Sequence, residues 1–241
     1  HAGLGFPGGY VGVDVFFVIS GFLITSLIIK DLEQGKFSLV SFWERRVRRI
    51  WPPLVVVVAA TLAAGWFLLL PDDYAELGRS SIWQTLLSAN VYFWQDSGYF
   101  AGASDEKPLL HTWSLAVEEQ FYLVLPLVLM GVAWSGKLTR RTLTALFSFV
   151  VVAGLAVSGY GAFHHPSATF FLLPTRAWEL AVGSLLAVMP SNAKLRSRTA
   201  HFVSAIGILG ILVPCFLYDK NTIFPGLAAA PPCFGTAALI W

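Results

Sequence analysis

Seven long apolar stretches constrain this chain more than any other feature of its sequence. A helix needs about 20 mostly apolar residues to cross the hydrocarbon core of a bilayer. The stretches that meet this requirement are 11–30, 51–70, 113–134, 142–161, 170–189, 200–218 and 223–241. We therefore predict an all-α fold, a polytopic bundle of transmembrane helices with about seven visible spans.

The composition fits a surface that faces lipid. Hydrophobic residues make up 56% of the chain and charged residues 12%, whereas a soluble domain carries roughly 25% charged residues. The net charge of +2 is too small to indicate a nucleic-acid partner. Cys215 and Cys233 lack C-x-x-C spacing, and the pair His164–His165 alone is a weak metal site, so no metal is expected.

Lysine and arginine residues cluster in three connections that would lie on one side of the bundle. These connections hold twelve of the sixteen basic residues: Lys30, Lys36, Arg45, Arg46, Arg48, Arg49, Lys137, Arg140, Arg141, Lys194, Arg196 and Arg198. The positive-inside rule makes that side cytoplasmic and the loop 71–112 external. The alternation requires that the shorter apolar run 80–94 does not cross. Its Gln84, Ser88 and Asn90 also favour an interfacial or re-entrant helix.

Charged residues inside the spans are candidates for function, because each costs roughly 2.5–3.5 kcal/mol at bilayer depth. Asp14 lies early in the first span among glycines, which would let a substrate approach closely. A helix N-terminal charge favoured by the helix dipole is the structural alternative. Arg176 and Glu179 are three residues apart, hence on one helix face, and an ion pair that satisfies itself would also explain them.

Glu118 and Glu119 are adjacent in a span, and adjacent helical positions point about 100° apart. At least one of them should therefore face a wet cavity, unless the pair is interfacial and touches water. His111 lies just upstream and is a weak signal by itself. The arginine block 45–49 has two interpretations. It sets the topology and anchors the chain to anionic lipids, with about 1 kcal/mol of binding free energy per charge, or it binds phosphate groups through the guanidinium groups.

Four blocks in order along the chain resemble the acyltransferase 3 family of membrane proteins, which includes bacterial O-antigen and peptidoglycan O-acetylases. They are His1 followed by GYVGVDVFFVISGF at 9–22, ERRVRRIWP at 44–52, LHTWSLAVEEQFY at 110–122 and PTRAWEL at 174–180. The resemblance implies a multi-pass protein of the bacterial inner membrane. It would transfer an acyl group, usually acetyl from acetyl-CoA, to a hydroxyl of a cell-surface glycan such as O-antigen or peptidoglycan.

The resemblance also implies that more of the protein lies outside this sequence. The histidine that the family needs near the outer end of its first span matches His1. The arginine that the family carries about ten residues earlier would precede this chain. We therefore expect 1–241 to be a transmembrane domain truncated at both ends, with one span missing and an extracellular SGNH-type domain in the full-length protein.

These residues suggest a mechanism. The imidazole of His1 would take the proton of the acceptor hydroxyl. Asp14 or Glu119 would orient the imidazole, and Arg176 would stabilise the oxyanion. The CoA phosphates would be bound by Arg45, Arg46, Arg48 and Arg49. The groups from separate helices are expected to line one wet cavity, although about 30 Å of hydrocarbon would separate His1 from the arginines. Either the pantetheine arm spans that distance or an intermediate carries the acyl group.

Two other classes of protein remain open at the level of sequence. Intramembrane Asp, Glu and Arg residues also mark the pathways of transporters and flippases. An envelope-glycan or acyl-carrier flippase would fit the charges, although the sequence shows no repeated half with broken helices. A non-catalytic scaffold of an envelope assembly complex is the third interpretation.

Overall fold

The structure, a computed structural model, describes residues 7–97, 107–189, 197–219 and 221–241. Within these residues every regular element is helical, which confirms the all-α prediction. The α-helices are α1 (Gly12–Glu33), α2 (Leu39–Leu68), α3 (Pro71–Thr85), α4 (Ala89–Asp96), α5 (Trp113–Trp134), α6 (Arg140–His164), α7 (Pro166–Phe171), α8 (Leu173–Val188), α9 (Ser197–Leu217) and α10 (Ala230–Ile240). Short 3₁₀ helices, Gly9–Val11, Leu110–Thr112 and Gly226–Ala229, lead into α1, α5 and α10.

Six helical segments in the described residues are long and apolar enough to cross a membrane. They are Gly9–Glu33, Leu39–Leu68, Leu110–Trp134, Arg140–His164, Pro166–Val188 and Thr199–Leu217. Six of the seven predicted spans are thereby confirmed by length and composition. The seventh, predicted at 223–241, is shorter than expected, because the helical part of this segment is Gly226–Ile240 and its first turn is a 3₁₀ helix.

The predicted single helix at 80–94 is in fact two helices, α3 and α4. They are separated at Leu86–Ser88, where Leu87 takes a positive φ of 54° that no α-helix contains. The prediction that this run does not cross as one continuous span is confirmed. The predicted interfacial or re-entrant helix is not continuous, since a left-handed residue divides the run into two helices.

Helices α1, α5 and α8 run in the same direction. Asp14 and Thr25 of α1 contact Arg176 and Ser184 of α8 in that order, and Phe17 packs against Trp113. The ends of α1 and α5 and the starts of α2 and α6 therefore lie together with their basic residues, and we call this the basic end. The opposite end, where α1, α5 and α8 begin, is called the far end.

Glycines bring α1 and α8 into backbone contact. A Cβ atom added at Gly21 would lie 1.9 Å from the carbonyl oxygen of Leu180, and one at Gly183 would lie 1.9 Å from that of Val18. Such contacts let two helices approach more closely than side chains otherwise permit. The sequence also predicts close approach at Gly207 and Gly210, and both meet the backbone of α10. The α1–α8 contact matters most, because it places Asp14 beside Arg176.

Candidate active site

A fully buried ion cluster joins α1 to α8. Nη1 of Arg176 lies 2.9 Å from Oδ1 of Asp14 and 2.8 Å from Oε1 of Glu179, and the three side chains are 0% exposed. The Asp14 and Glu179 carboxylates thus meet at one nitrogen of the Arg176 guanidinium. The pair expected between Arg176 and Glu179 is thus present, and Asp14 extends it to a neighbouring helix. We call these three residues the buried triad.

A proline positions Arg176 in the buried triad. In a continuous helix the carbonyl of Phe170 would accept a hydrogen bond from residue 174, but Pro174 has no N–H to donate. The helix is interrupted at Leu172, whose ψ of 143° is extended, and α8 begins after it. Nε of Arg176 donates instead to the free Phe170 carbonyl at 3.0 Å. The same break lets the Thr175 hydroxyl bond the carbonyls of this turn.

Three aromatic rings surround the guanidinium of Arg176. Its Cζ lies 5.3 Å from the ring centre of Trp113, 5.0 Å from that of Phe170 and 5.1 Å from that of Phe224. Cations are attracted to ring faces at these distances, more strongly where water is excluded. Arg176 is therefore held by two carboxylates, one carbonyl and three rings. Its Nη2 has no hydrogen-bond partner among the described residues.

A second polar cluster lies further along α5. The carboxylate of Glu118 accepts a hydrogen bond from the hydroxyl of Tyr122, and the hydroxyl of Ser20 lies close to it. Glu119 is also buried, and its Oε1 finds no partner in the described part of the chain. Both side chains are nearly closed to solvent, which matches neither the wet cavity expected for one of them nor an interfacial pair that touches water. Sequence reasoning did not include Ser20 and Tyr122, although a hydroxyl four residues after Glu118 on the same helix face was a usable signal.

The arginine block divides between two faces of α2. Arg45 pairs with Asp31 at 3.6 Å and Arg48 with Glu44 at 2.7 Å, and the two arginine side chains are 51% and 77% exposed. Arg46 instead lies over the ring of Tyr122, 5.7 Å from its centre, near the middle of α5. The block therefore does not form one four-membered cluster, because positions three apart share a face and adjacent positions do not.

Arg49 reaches a cleft at the far end of the bundle. This cleft has a volume of about 410 Å³, and Arg49 lines it together with Phe16, His111 and Ser114. The expected separation of His1 from the arginines stays a prediction, because His1 lies outside the described residues. Arg49 itself lies close to His111, since both line this cleft. We call this space the arginine cleft.

A second cavity of about 520 Å³ lies at the far end next to the arginine cleft. Four polar residues line it, namely Ser97, Lys107, His111 and Ser167, and so do four aromatic residues, Trp113, Phe170, Phe171 and Phe224. Three of these rings are the ones that surround Arg176. We call this space the aromatic cavity. Sequence reasoning treated His111 as a weak signal, yet His111 lines both spaces.

Ion pairs fix the polar side of the aromatic cavity. Lys107 pairs with Glu76 of α3 at 3.1 Å and also with Asp96 of α4. Burial lowers the pKa of Lys107, but hydrogen bonds to Asp96 and Glu76 outweigh it, so this pKa lies above its ordinary value. Lys107 is thus a fixed positive charge at physiological pH. Separately, Asn90 and Gln120 hydrogen-bond to each other at 2.8 Å and connect α4 to α5.

Of the predicted site residues, Asp14 and Arg176 are brought into direct contact, and Glu119 lies apart from them with Glu118. The sequence predicted that Asp14 and Arg176 line an open cavity. In the structure both side chains are fully buried instead. His1 lies outside the described residues. The catalytic and CoA-binding roles of all these residues remain predictions.

A family model of the acyltransferase domain matches residues 3–241. The chain belongs to the acyltransferase 3 family. It is a membrane protein and an acyltransferase that transfers groups other than aminoacyl groups. Membership of this family favours acyl transfer over the flippase and scaffold alternatives, and it confirms the resemblance that the four blocks carry.

Relatives of this acyltransferase have two sizes. An uncharacterized protein of Haemophilus influenzae is 34% identical over 95% of the chain, which covers 96% of that protein. The Bacillus subtilis protein YrhL, provisionally named a peptidoglycan O-acetyltransferase, is 32% identical over 92% of the chain. A provisionally named O-acetyltransferase of Staphylococcus aureus strain COL is 32% identical over 91%. The chain spans 38% of each of these two longer relatives. No solved structure matches the chain.

Proposed function

We propose that this protein transfers an acyl group, acetyl in the simplest case, from acetyl-CoA on the cytoplasmic side to a hydroxyl of an extracytoplasmic glycan. The glycan would be an envelope polymer such as O-antigen or peptidoglycan, and the protein would lie in the bacterial inner membrane. One observation carries the proposal: Arg49, from the block next to the basic end, lines the same cleft as His111 at the far end. One cleft thus brings an arginine that would bind phosphate close to a histidine at the far end, which supports a donor and an acceptor that meet there.

The donor would bind along the inward face of α2. Phosphates favour arginine because the planar guanidinium makes two parallel hydrogen bonds. Arg46 lies over Tyr122 and the exposed Arg49 lines the arginine cleft, and neither makes an ion pair in the described residues, so they would take the first phosphate contacts. Arg45 and Arg48 are exposed and weakly paired, so they can add further contacts as CoA arrives. The pantetheine arm would then enter the arginine cleft.

The transfer itself would follow the chemistry of a thioester. The acceptor oxygen attacks the acyl carbon, the new C–O bond forms and the C–S bond breaks. The proton of the hydroxyl passes to the imidazole of His1 and from there to the thiolate of CoA. Asp14, Glu119 and Arg176 each keep one buried polar atom without a partner among the described residues, namely Oδ2, Oε1 and Nη2. These atoms support their roles in orienting the imidazole and stabilising the oxyanion.

A labelling experiment tests the proposal. Membranes that contain the full-length protein are incubated with acetyl-labelled acetyl-CoA, and the label is followed into the envelope glycan. We expect incorporation by the wild type and its loss in His1→Ala at an unchanged protein level, because the general base is removed. Equal incorporation by His1→Ala would exclude His1 from the mechanism. An extracellular SGNH-type domain in the full-length protein stays a prediction.

A further inference from the structure

We propose that the aromatic cavity is the binding site for one sugar ring of the acceptor, and that His111 binds the sugar hydroxyl that faces the arginine cleft. The proposal rests on the acyl transfer to a glycan proposed above, and it names the place and the residues that hold the acceptor. It is carried by three observations: the aromatic rings of the cavity, the polar residues that line the same cavity, and the position of His111 at two cavities.

The first observation is the wall of four aromatic rings. A pyranose ring has an apolar face of C–H groups and an edge of hydroxyls, so an aromatic ring packs on the face and excludes water from it. Trp113 provides the largest ring, and Phe170 lies 4.8 Å from it between ring centres. Phe171 and Phe224 contact the same group. Packing between these rings fixes the wall before any ligand arrives, which lowers the entropy cost of binding.

The second observation is the set of polar side chains at the same cavity. Ser97 and Ser167 bring hydroxyls, which can donate and accept, and Lys107 brings a donor that is fixed by Glu76 and Asp96. The volume of about 520 Å³ lies inside the usual range for small-molecule sites. A cavity lined by both aromatic rings and hydroxyl and amine groups matches a neutral sugar better than a lipid chain, which cannot hydrogen-bond to the polar groups.

The third observation is the position of His111. This residue belongs to the 3₁₀ helix Leu110–Thr112, which leads directly into α5. Its side chain lines the aromatic cavity on one side and the arginine cleft on the other. A sugar hydroxyl bound by His111 would therefore lie at the opening through which the thioester arrives. Holding the two reactants at one junction makes their reaction effectively intramolecular.

Steady-state kinetics of two tryptophan variants test the proposal. One variant fills the aromatic cavity and the other fills a control cavity. The full-length protein in nanodiscs is given labelled acetyl-CoA and oligosaccharides released from the envelope glycan. Ser167→Trp places a ring in the aromatic cavity. Ala156→Trp places the same ring in a different cavity of about 620 Å³ between α6 and α10. We expect the KM for the oligosaccharide to rise roughly tenfold or more in Ser167→Trp and to stay near wild type in Ala156→Trp.

His111→Ala supplies a second variant in case the larger ring perturbs folding. Its KM for the oligosaccharide should rise roughly tenfold, because one hydrogen bond to the sugar is lost. The KM for acetyl-CoA should change little in both variants, which shows that the donor site is intact. His111→Asn should recover part of the acceptor affinity, since its amide can still donate and accept. A purely structural role for His111 would not produce this selective recovery.

Binding of fluorescently labelled oligosaccharides, measured without acetyl-CoA, separates the two proposals. Wild-type binding that is lost in Ser167→Trp, without any acyl transfer, would support the cavity and contradict the proposed function. Transfer by the wild type with unchanged oligosaccharide KM and binding in both variants would overturn the cavity proposal while the proposed function stands. If the wild type neither binds nor transfers, both proposals are overturned.

Discussion

The buried triad and the arginine block hold their charges in opposite ways. Arg176 is fully buried between two carboxylates and three rings, whereas Arg45 and Arg48 are half or more exposed and pair with carboxylates on their own surface. A buried charge that loses its partner is strongly destabilising, while an exposed ion pair contributes about 0–1 kcal/mol. The comparison indicates that the triad holds the helices together and that the block remains free to bind an incoming anion.

Removing the centre of the triad should give the largest effect. Arg176→Met leaves the carboxylates of Asp14 and Glu179 buried without their cation, and we expect a loss of about 3–5 kcal/mol in stability. Thermal unfolding of the detergent-solubilised protein measures it. Arg48→Met is the matched control, and its exposed pair should contribute less than about 1 kcal/mol. Similar unfolding temperatures for the two variants would show that the buried triad contributes no more to stability than the arginine block.

Separating the helices that carry the triad should give the next largest effect. Gly183→Ala places a Cβ 1.9 Å from the carbonyl oxygen of Val18, so α1 and α8 must move apart. We expect a loss of about 1–3 kcal/mol or more, as for other overpacked interiors. Gly131→Ala in α5 meets nothing within 4 Å and should stabilise the helix by up to about 1 kcal/mol. A lower unfolding temperature for Gly183→Ala and a higher one for Gly131→Ala would confirm the backbone contact. A change in the same direction for both variants would contradict it.

Comparing the two faces of the arginine block should give the smallest effect and the finest test. Arg46→Ala and Arg49→Ala remove the guanidinium groups beside Tyr122 and at the arginine cleft, and each should raise the KM for acetyl-CoA roughly tenfold, in the range of a hydrogen bond to a charged group. Arg45→Ala and Arg48→Ala should raise it less. Initial rates at several acetyl-CoA concentrations provide the values. A larger effect from Arg45 or Arg48 would place the donor on the outward face.

Much of the fold follows from composition, because a span needs only length and apolarity, and the six spans were predicted on that basis. The two-helix form of 71–96 was not predicted, because the positive φ of Leu87 has no glycine to signal it. The contact between Asp14 and Arg176 could not be predicted either. It depends on which helices meet at Gly21 and Gly183. A glycine in a sequence shows that close approach is possible, but not which helix approaches.

The site was predictable in kind but not in arrangement. The rarity of buried charges identified Asp14, Glu119 and Arg176 as unusual, yet their grouping depends on helix rotation, which one sequence does not determine. The position of Arg46 over Tyr122 and that of Arg49 at the arginine cleft depend in the same way on where α2 meets α5. One contact could have been anticipated: Pro174 leaves the carbonyl of Phe170 without its helical donor, so a nearby side chain was needed to supply one.

The interruption before Pro174 has a mechanical consequence. Arg176 is bonded across it to Phe170 of α7 and, on the other side, to Asp14 of α1. One side chain therefore connects a wall of the aromatic cavity to the contact between α1 and α8. Outward movement of the short helix α7 would have to break the hydrogen bond between Arg176 and Phe170, so a ligand that displaces α7 would also disturb the buried triad.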